Sequence, residues 1–377
     1  MILILSIVFF VLYLIFIGTV IGVGFYRQLT KERSYFSEGQ KIDVADLIVL
    51  IPYRNEAHRI QPLLRAIGRL KTLPQEFIFI DDHSDDGTDE VIRKELEIEN
   101  YRILSSPVNN AGKKRALRFG TANSESKYIL TWDADVEVEP DYFEHISQLG
   151  EADMYVLPAL MLPEKFLEHF YEIDLVLVTA ANAGLSGLKR PIMASGANLL
   201  YKRSTFHQVD DLESHIHAAS GDDTYLLRDF RENEASVRLV SDRRCAITTK
   251  TPRSFKEFID QRLRWIGKTN DIKDHLSTTL AISQAALTVG FFAILTYLIV
   301  TGDWLFLVTV FGLKVLIDML LFQAYFSRFK RLGSWFLIPI YELLFPIYTL
   351  IIAVLLPFYK PKWKGRELWN KKQNSIV

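Results

Sequence analysis

"YILTWDADVE" (residues 128–137) is a largely apolar run that leads straight into Asp133-Ala134-Asp135. Read as a strand through residue 135, it places positions i and i+2 on one face, so Asp133 and Asp135 project together. Like charges side by side repel unless a cation or a shared proton lies between them. A polar turn after a buried strand is the plainer reading of Asp-x-Asp alone. The rest of the chain decides between the two.

On both sides, short apolar runs alternate with amphipathic ones from about residue 44 to 270. "DLIVLIP" (46–52), "EFIFIDD" (76–82), "YRILSS" (101–106), "YILTWDAD" (128–135) and "DMYVLPALML" (153–162) read as strands. "RIQPLLRAIGRLK" (59–71), "TDEVIRKELEIE" (88–99) and "KKRALRFGTA" (113–122) read as helices. Nearly continuous apolar strands alternating with helices predict an α/β domain with a mostly parallel sheet covered on both faces. Ligands of such sheets bind beyond the C-terminal strand ends. "PYRNE", "DDHSDDGT" and "DAD" stand at those ends.

The 377 residues are 49% hydrophobic and 24% charged, an uneven mixture that predicts a soluble domain joined to membrane segments. A net charge of −1 gives no sign of nucleic-acid binding. The single cysteine, Cys245, excludes an internal disulfide framework and a Cys-rich zinc site. Residues 2–26 are long and apolar enough to span a bilayer, giving an N-terminal membrane helix over 1–27. Arg27, Lys31 and Arg33 follow it and predict a cytoplasmic exit. Gly18 and Gly22 are spaced as a helix-packing face. A C-terminal membrane region over 278–358 holds apolar stretches at 278–300, 304–326 and 335–357. The last is broken by Pro339, Glu342 and Pro346, which suggests a re-entrant or interfacial segment and leaves two or three spans. Lys314 and Asp318 can pair at i, i+4 within the membrane or line a pathway. The basic tail 359–377 (Lys360, Lys362, Lys364, Arg366, Lys371, Lys372) reads as cytoplasmic, which conflicts with three full spans.

Several groups carry chemistry. Arg54, Asn55 and Glu56 follow the first strand, and Asp81, Asp82 and Ser84 the second; such donors and acceptors suit a base and ribose. Gly87 supplies a turn, and Asp86 or Thr88 caps the next helix. Lys113 opens a helix after Gly112, a place suited to an anion. Walker and dinucleotide glycine spacings are absent. His215 and His217 near Asp222 and Asp223 leave a metal hydrolase as a minor alternative. Gln261, Arg264 and Trp265 share one helical face, readable as a ligand-binding motif or an interfacial anchor.

"PYRNE", "DDHSDDGT", "GKKRAL", "DAD", "SGANLLYKR", "GDD" and "QRLRW" occur in the order seen in family-2 glycosyltransferases. Residues 45–268 resemble the membrane-integrated members, of the ceramide-glucosyltransferase and polysaccharide-synthase types. The resemblance implies a GT-A fold (a Rossmann-like half joined to an acceptor half) over 44–270. It implies that Pro52, Arg54, Asn55, Glu56, Asp81, Asp82, Ser84, Lys113 and Asp133 bind a nucleotide-sugar, usually a UDP-sugar. Asp135, with Asp133, would hold Mg²⁺ or Mn²⁺ on the diphosphate, which answers the opening question. Asp223 matches the catalytic base. The usual Thr-Glu-Asp is Gly221-Asp222-Asp223 here, so Asp222 shares that expectation. Gly196, Ala197, Asn198, Gln261, Arg264 and Trp265 would serve the acceptor or product. The implied activity is inverting transfer to a lipid acceptor by an integral protein of the cell inner membrane with a cytoplasmic catalytic domain. Processive extension of a polysaccharide is the alternative, and a non-catalytic nucleotide-sugar-binding protein a remote one.

Overall fold

The computed structural model describes residues 1–107, 112–188, 190–211, 222–272, 275–358, 362–363 and 366–367; for Asp222, residues 267–272 and the last two pairs it describes the backbone alone. His215 and His217, and most of the 359–377 tail, lie outside the described residues. The chain forms two compact units. Residues 29–162 and 191–251 make most of one; residues 1–28, 163–190 and 252–367 make the other. The helices Phe166–Gly187 and Phe255–Ile272, which the sequence reading included in a single 44–270 domain, group with the apolar helices.

Among its described residues the first of these units holds ten strands: β1 (Leu47–Tyr53), β2 (Glu76–Asp81), β3 (Tyr101–Ser105), β4 (Tyr128–Trp132), β5 (Val136–Val138), β6 (Met154–Val156), β7 (Ala159–Leu162), β8 (Asn198–Lys202), β9 (Val237–Leu239) and β10 (Ile247–Lys250). Seven form one sheet in the order β3-β2-β1-β4-β8-β6-β9. The β1–β2, β1–β4, β2–β3 and β6–β9 pairs are parallel, while β8 runs antiparallel to β4 and β6. The mostly parallel α/β sheet is therefore as expected. β1 and β4 are buried at every residue, as a sheet covered on both faces requires. The chain moves from β1 outward to β3, then returns to the other side of β1 with β4. That reversal is the topological switch point, where α/β sheets bind ligands.

Two strand boundaries correct the sequence reading. The run 153–162 is two strands, β6 and β7, which belong to different sheets. The run 128–135 ends as a strand at Trp132, and Asp133-Ala134-Asp135 turns into β5 of a small sheet ordered β5-β10-β7. The two aspartates come from a turn between sheets, not from strand alternation. Trp132 anchors that turn. It is fully buried, packs edge-on against Tyr142, ring centroids 5.5 Å apart, and meets the tilted ring of Phe143 at 5.6 Å.

Among the described residues four helices are long and apolar enough to cross a membrane: Ile2–Ser37, of which residues 2–28 belong to the other unit, and, wholly within it, His275–Thr301, Trp304–Arg328 and Ile338–Leu355. The first does not stop near residue 27; it continues to Ser37 through a π-helical stretch, Gly18–Gly24. The last is one continuous helix of 18 residues, about 27 Å at about 1.5 Å per residue. Pro339 sits in its first turn, where a missing N–H breaks no helical bond, and Pro346 lies within it. The expected interruption is therefore absent.

Glycine packing also differs from the expected Gly18/Gly22 face. A Cβ on Gly18 would meet nothing within 4 Å. On Gly187 it would stand 1.8 Å from the Gly24 carbonyl oxygen, and on Gly184 2.0 Å from that of Val20. Backbone meets backbone there, which only glycine permits. Lys314 pairs with Asp318 at 2.6 Å and also with Glu342; Tyr13 donates to Asp318. All four side chains are buried, so the cluster ties three of the apolar helices together. A polar residue in such a helix is tolerable when its partner is another buried group.

Candidate active site

The loop after β1 and the loop after β2 brace each other. Asn55, in the left-handed region at φ 53°, donates its N–H to Ser84 Oγ (3.1 Å), and its Oδ1 accepts the N–H of Asp85 (3.0 Å). Glu56 N–H donates to Thr88 Oγ1 (3.0 Å) and Ala57 N–H to Asp86 Oδ2 (2.9 Å). Asp86 in turn accepts the Thr88 N–H (3.1 Å). Partial burial pushes the Asp86 carboxyl up, yet the Thr88 hydroxyl and the Ala57 and Thr88 amides hold it below its ordinary value. Pro52 is buried inside β1; Arg54 is half-buried and Asn55 exposed.

Asp81 and Asp82 part ways. Asp81 accepts the N–H of Ser84 (2.9 Å) and shapes the turn. Asp82, 2% exposed, accepts the N–H of Gly112 (2.9 Å). Gly112 has φ 117°, a conformation reserved for glycine. Asp82 therefore fixes the backbone that launches the Lys113–Ala122 helix.

Both aspartates of the Asp133–Asp135 turn already face cations. Lys113 Nζ stands 2.6 Å from Asp133 Oδ1. Arg59 Nη2 stands 2.6 Å from Asp135 Oδ2, and its Nε lies 3.9 Å from Glu56 Oε2. Arg59 escaped the sequence reading. It lies in an ordinary amphipathic stretch, and nothing in a 76-residue separation advertises its partner. Among the described residues no cluster of three or more His, Cys, Asp or Glu side chains is placed to hold a metal. Two carboxylates suit Mg²⁺ or Mn²⁺ only if other oxygens complete the shell, as substrate phosphates do.

Gly196, Ala197 and Asn198 lead into and open β8. Gly196 N–H donates to Asp223 Oδ2 (3.1 Å), and its carbonyl accepts the Thr131 hydroxyl (2.9 Å) two residues before Asp133. Asp223 Oδ1 accepts the N–H (2.7 Å) and hydroxyl (3.1 Å) of Thr224, which fix its orientation. Asp223, Gly196 and Thr131 line a pocket with Lys114, Tyr201 and Phe206. Asn198 is fully buried. Its amide donates to the carbonyls of Pro158 (2.8 Å) and Cys245 (3.0 Å), and its Oδ1 accepts the Tyr142 hydroxyl (2.6 Å). That side chain is a joint of the core rather than an exposed contact.

Gln261, Arg264 and Trp265 sit on the Phe255–Ile272 helix of the other unit. Sequence reading missed the residue that supports them. Arg262, 3% exposed, ion-pairs with Asp174 (2.5 Å), which also accepts the Tyr341 hydroxyl (3.0 Å). The Arg262 guanidinium lies over Trp265 at 4.2 Å and Phe258 at 4.8 Å. Burial pushes the neighbouring Asp260 carboxyl up, partly offset by Lys256 and Arg264.

Residues 48–209 match the family model described as glycosyl transferase family 2. A poly-beta-1,6-N-acetyl-D-glucosamine synthase of Staphylococcus epidermidis is 27% identical over 117 residues, 31% of this chain and 28% of the relative. An undecaprenyl-phosphate 4-deoxy-4-formamido-L-arabinose transferase of Aeromonas hydrophila is 34% identical over 116 residues, 30% of this chain and 35% of the relative. The chain thus spans about a third of these curated relatives. A mannosyltransferase from Pyrobaculum calidifontis, solved with GDP-Man and Mn²⁺, superposes with a TM-score of 0.56 over 94% of this chain and 99% of that one, at 15% identity. Residues 48–209 are a glycosyl transferase family 2 domain, carried by a chain with the mixed α/β fold of the GT-A glycosyltransferases.

Proposed function

We propose that the protein is a membrane-bound inverting glycosyltransferase that moves a sugar from a nucleotide-sugar, in our reading a UDP-sugar, to a lipid acceptor. The observation that carries this reading is the meeting of Asp133, Asp135, Lys113 and Arg59 at the β1/β4 switch point of a family-2 domain. The relatives, one a polymer synthase and one an undecaprenyl-phosphate transferase, support both the lipid reading and processive polymer extension.

Asp133 and Asp135 would hold a divalent metal, which when bound neutralises charge on the donor's diphosphate. The braced loops carrying Arg54, Asn55, Asp81 and Ser84 would receive the nucleoside, and Lys113 the diphosphate side. Asp223 would take the proton of the acceptor hydroxyl as that oxygen bonds to the anomeric carbon. The carbon–oxygen bond to the diphosphate breaks, and its electron pair leaves with the nucleoside diphosphate. A single displacement inverts the anomeric configuration. Gln261, Arg264 and Trp265 would serve acceptor or product. The four apolar helices support placement in a membrane; the reading that the family-2 domain lies on the cytoplasmic side of the inner membrane rests on Arg27, Lys31 and Arg33 after the first span.

Membranes containing the protein, given radiolabelled UDP-sugars and Mn²⁺, test the acceptor class. One organic-soluble species is expected. A ladder of water-soluble or insoluble products would replace the lipid reading with processive synthesis, and absence of label in every fraction would contradict both.

A further inference from the structure

The Asp133–Asp135 turn carries its own counter-ions. Arg59 Nη2 faces Asp135 Oδ2 at 2.6 Å, the oxygen a metal would need at about 2.1 Å. A guanidinium and a divalent cation cannot share that oxygen without strong repulsion. Arg59 does not have to lose all charge contact on leaving, because Glu56 Oε2 lies 3.9 Å from its Nε. That Nε is buried and makes no hydrogen bond among the described residues, so the site contains a donor still wanting an acceptor. Diphosphate oxygens are such acceptors, and a planar guanidinium suits them.

We propose that Arg59 is an exchangeable counter-ion. It occupies Asp135 while the site is empty, yields that oxygen to the metal, and transfers to the donor's diphosphate. Metal alone then binds poorly because it must displace Arg59, which is left with only the 3.9 Å contact to Glu56. Metal with nucleotide binds well, because the guanidinium moves from one anion to another. This rests on the reading of Asp133 and Asp135 as the metal site.

The test is Mn²⁺ binding by electron paramagnetic resonance to the full chain in nanodiscs, with and without UDP. Arg59→Gln should bind Mn²⁺ alone more tightly, by up to about fivefold for a partly exposed ion pair. The same variant should bind UDP more weakly in the presence of Mn²⁺. Opposite signs from one substitution are not a consequence of damaged folding. Arg59→Lys, which keeps the charge but not the fork, should hold Mn²⁺ affinity near wild type and recover UDP binding only in part. If Arg59→Gln leaves Mn²⁺ affinity unchanged or lowers it, while Asp135→Asn abolishes it, the counter-ion role is wrong and the metal site stands. If Asp135→Asn binds Mn²⁺ and UDP like wild type, the metal site and the counter-ion role fall together.

Discussion

The main-chain N–H of Gly196 donates to Oδ2 of Asp223 across 3.1 Å, joining the loop before β8 to the start of the Asp222–Glu232 helix. Asp223 and Gly196 both line the pocket that Thr131 borders. As general base, Asp223 would contribute about 10²–10⁴-fold. Asp223→Asn keeps an acceptor oxygen for Gly196 but cannot take a proton. Sugar transfer should fall by that factor while UDP binding with Mn²⁺ stays near wild type, read by turnover and by calorimetry. Undiminished turnover would remove Asp223 from the mechanism.

Arg262 and Asp174 form a buried pair under Trp265. Removing one partner of such a pair strands the other charge and costs about 3–5 kcal/mol. Arg262→Met and Asp174→Asn should each lower the thermal midpoint strongly in detergent. The double variant should recover part of the loss, because neither charge is left buried alone. Strictly additive losses would show that the pair is not coupled.

Lys314 is the one cation in a buried cluster with Asp318 and Glu342 among the described residues. Lys314→Met leaves two carboxylates facing each other inside apolar helices. It should destabilise more than Lys314→Met combined with Asp318→Asn and Glu342→Gln, although the triple variant changes more atoms. Thermal unfolding in nanodiscs reads the order; the reverse order would mean that the ammonium does not compensate the carboxylates.

Asp86 braces two loops, and its pKa is held down in the folded protein. A depressed carboxylate pKa adds stability above the unfolded value, near 3.9, and loses it as pH falls through the folded value. Asp86→Asn should therefore cost about 1 kcal/mol near neutrality and progressively less in acid, as Asp86 itself protonates. Melting curves at neutral and acid pH check this; an equal loss at both would contradict the charge's role.

The sheet was legible because its strands are buried on both faces and its polar clusters stand at strand ends. The helix starting at Lys113 follows the sequence reading at both ends, Lys113–Ala122. What escaped was tertiary. Arg59 meets Asp135, and Arg262 meets Asp174, across separations that no local period encodes. The paired aspartates were recognised, but through strand alternation, whereas a turn between two sheets brings them forward. Gly24, Gly184 and Gly187 looked ordinary because close backbone approach depends on which helix lies opposite. Asp82 and Asn198 stood in motifs suggesting ligand contact, and their burial and internal partners were not legible from those motifs.

The measurement that tests the central claim most directly is transfer of radiolabelled sugar from UDP-sugars by the full chain in membranes, with and without chelator, beside Asp135→Asn. The account predicts label in a lipid-extractable product that requires Mn²⁺ or Mg²⁺ and disappears in the variant. Transfer at full rate in chelator or in Asp135→Asn, or no transfer from any donor, would contradict it.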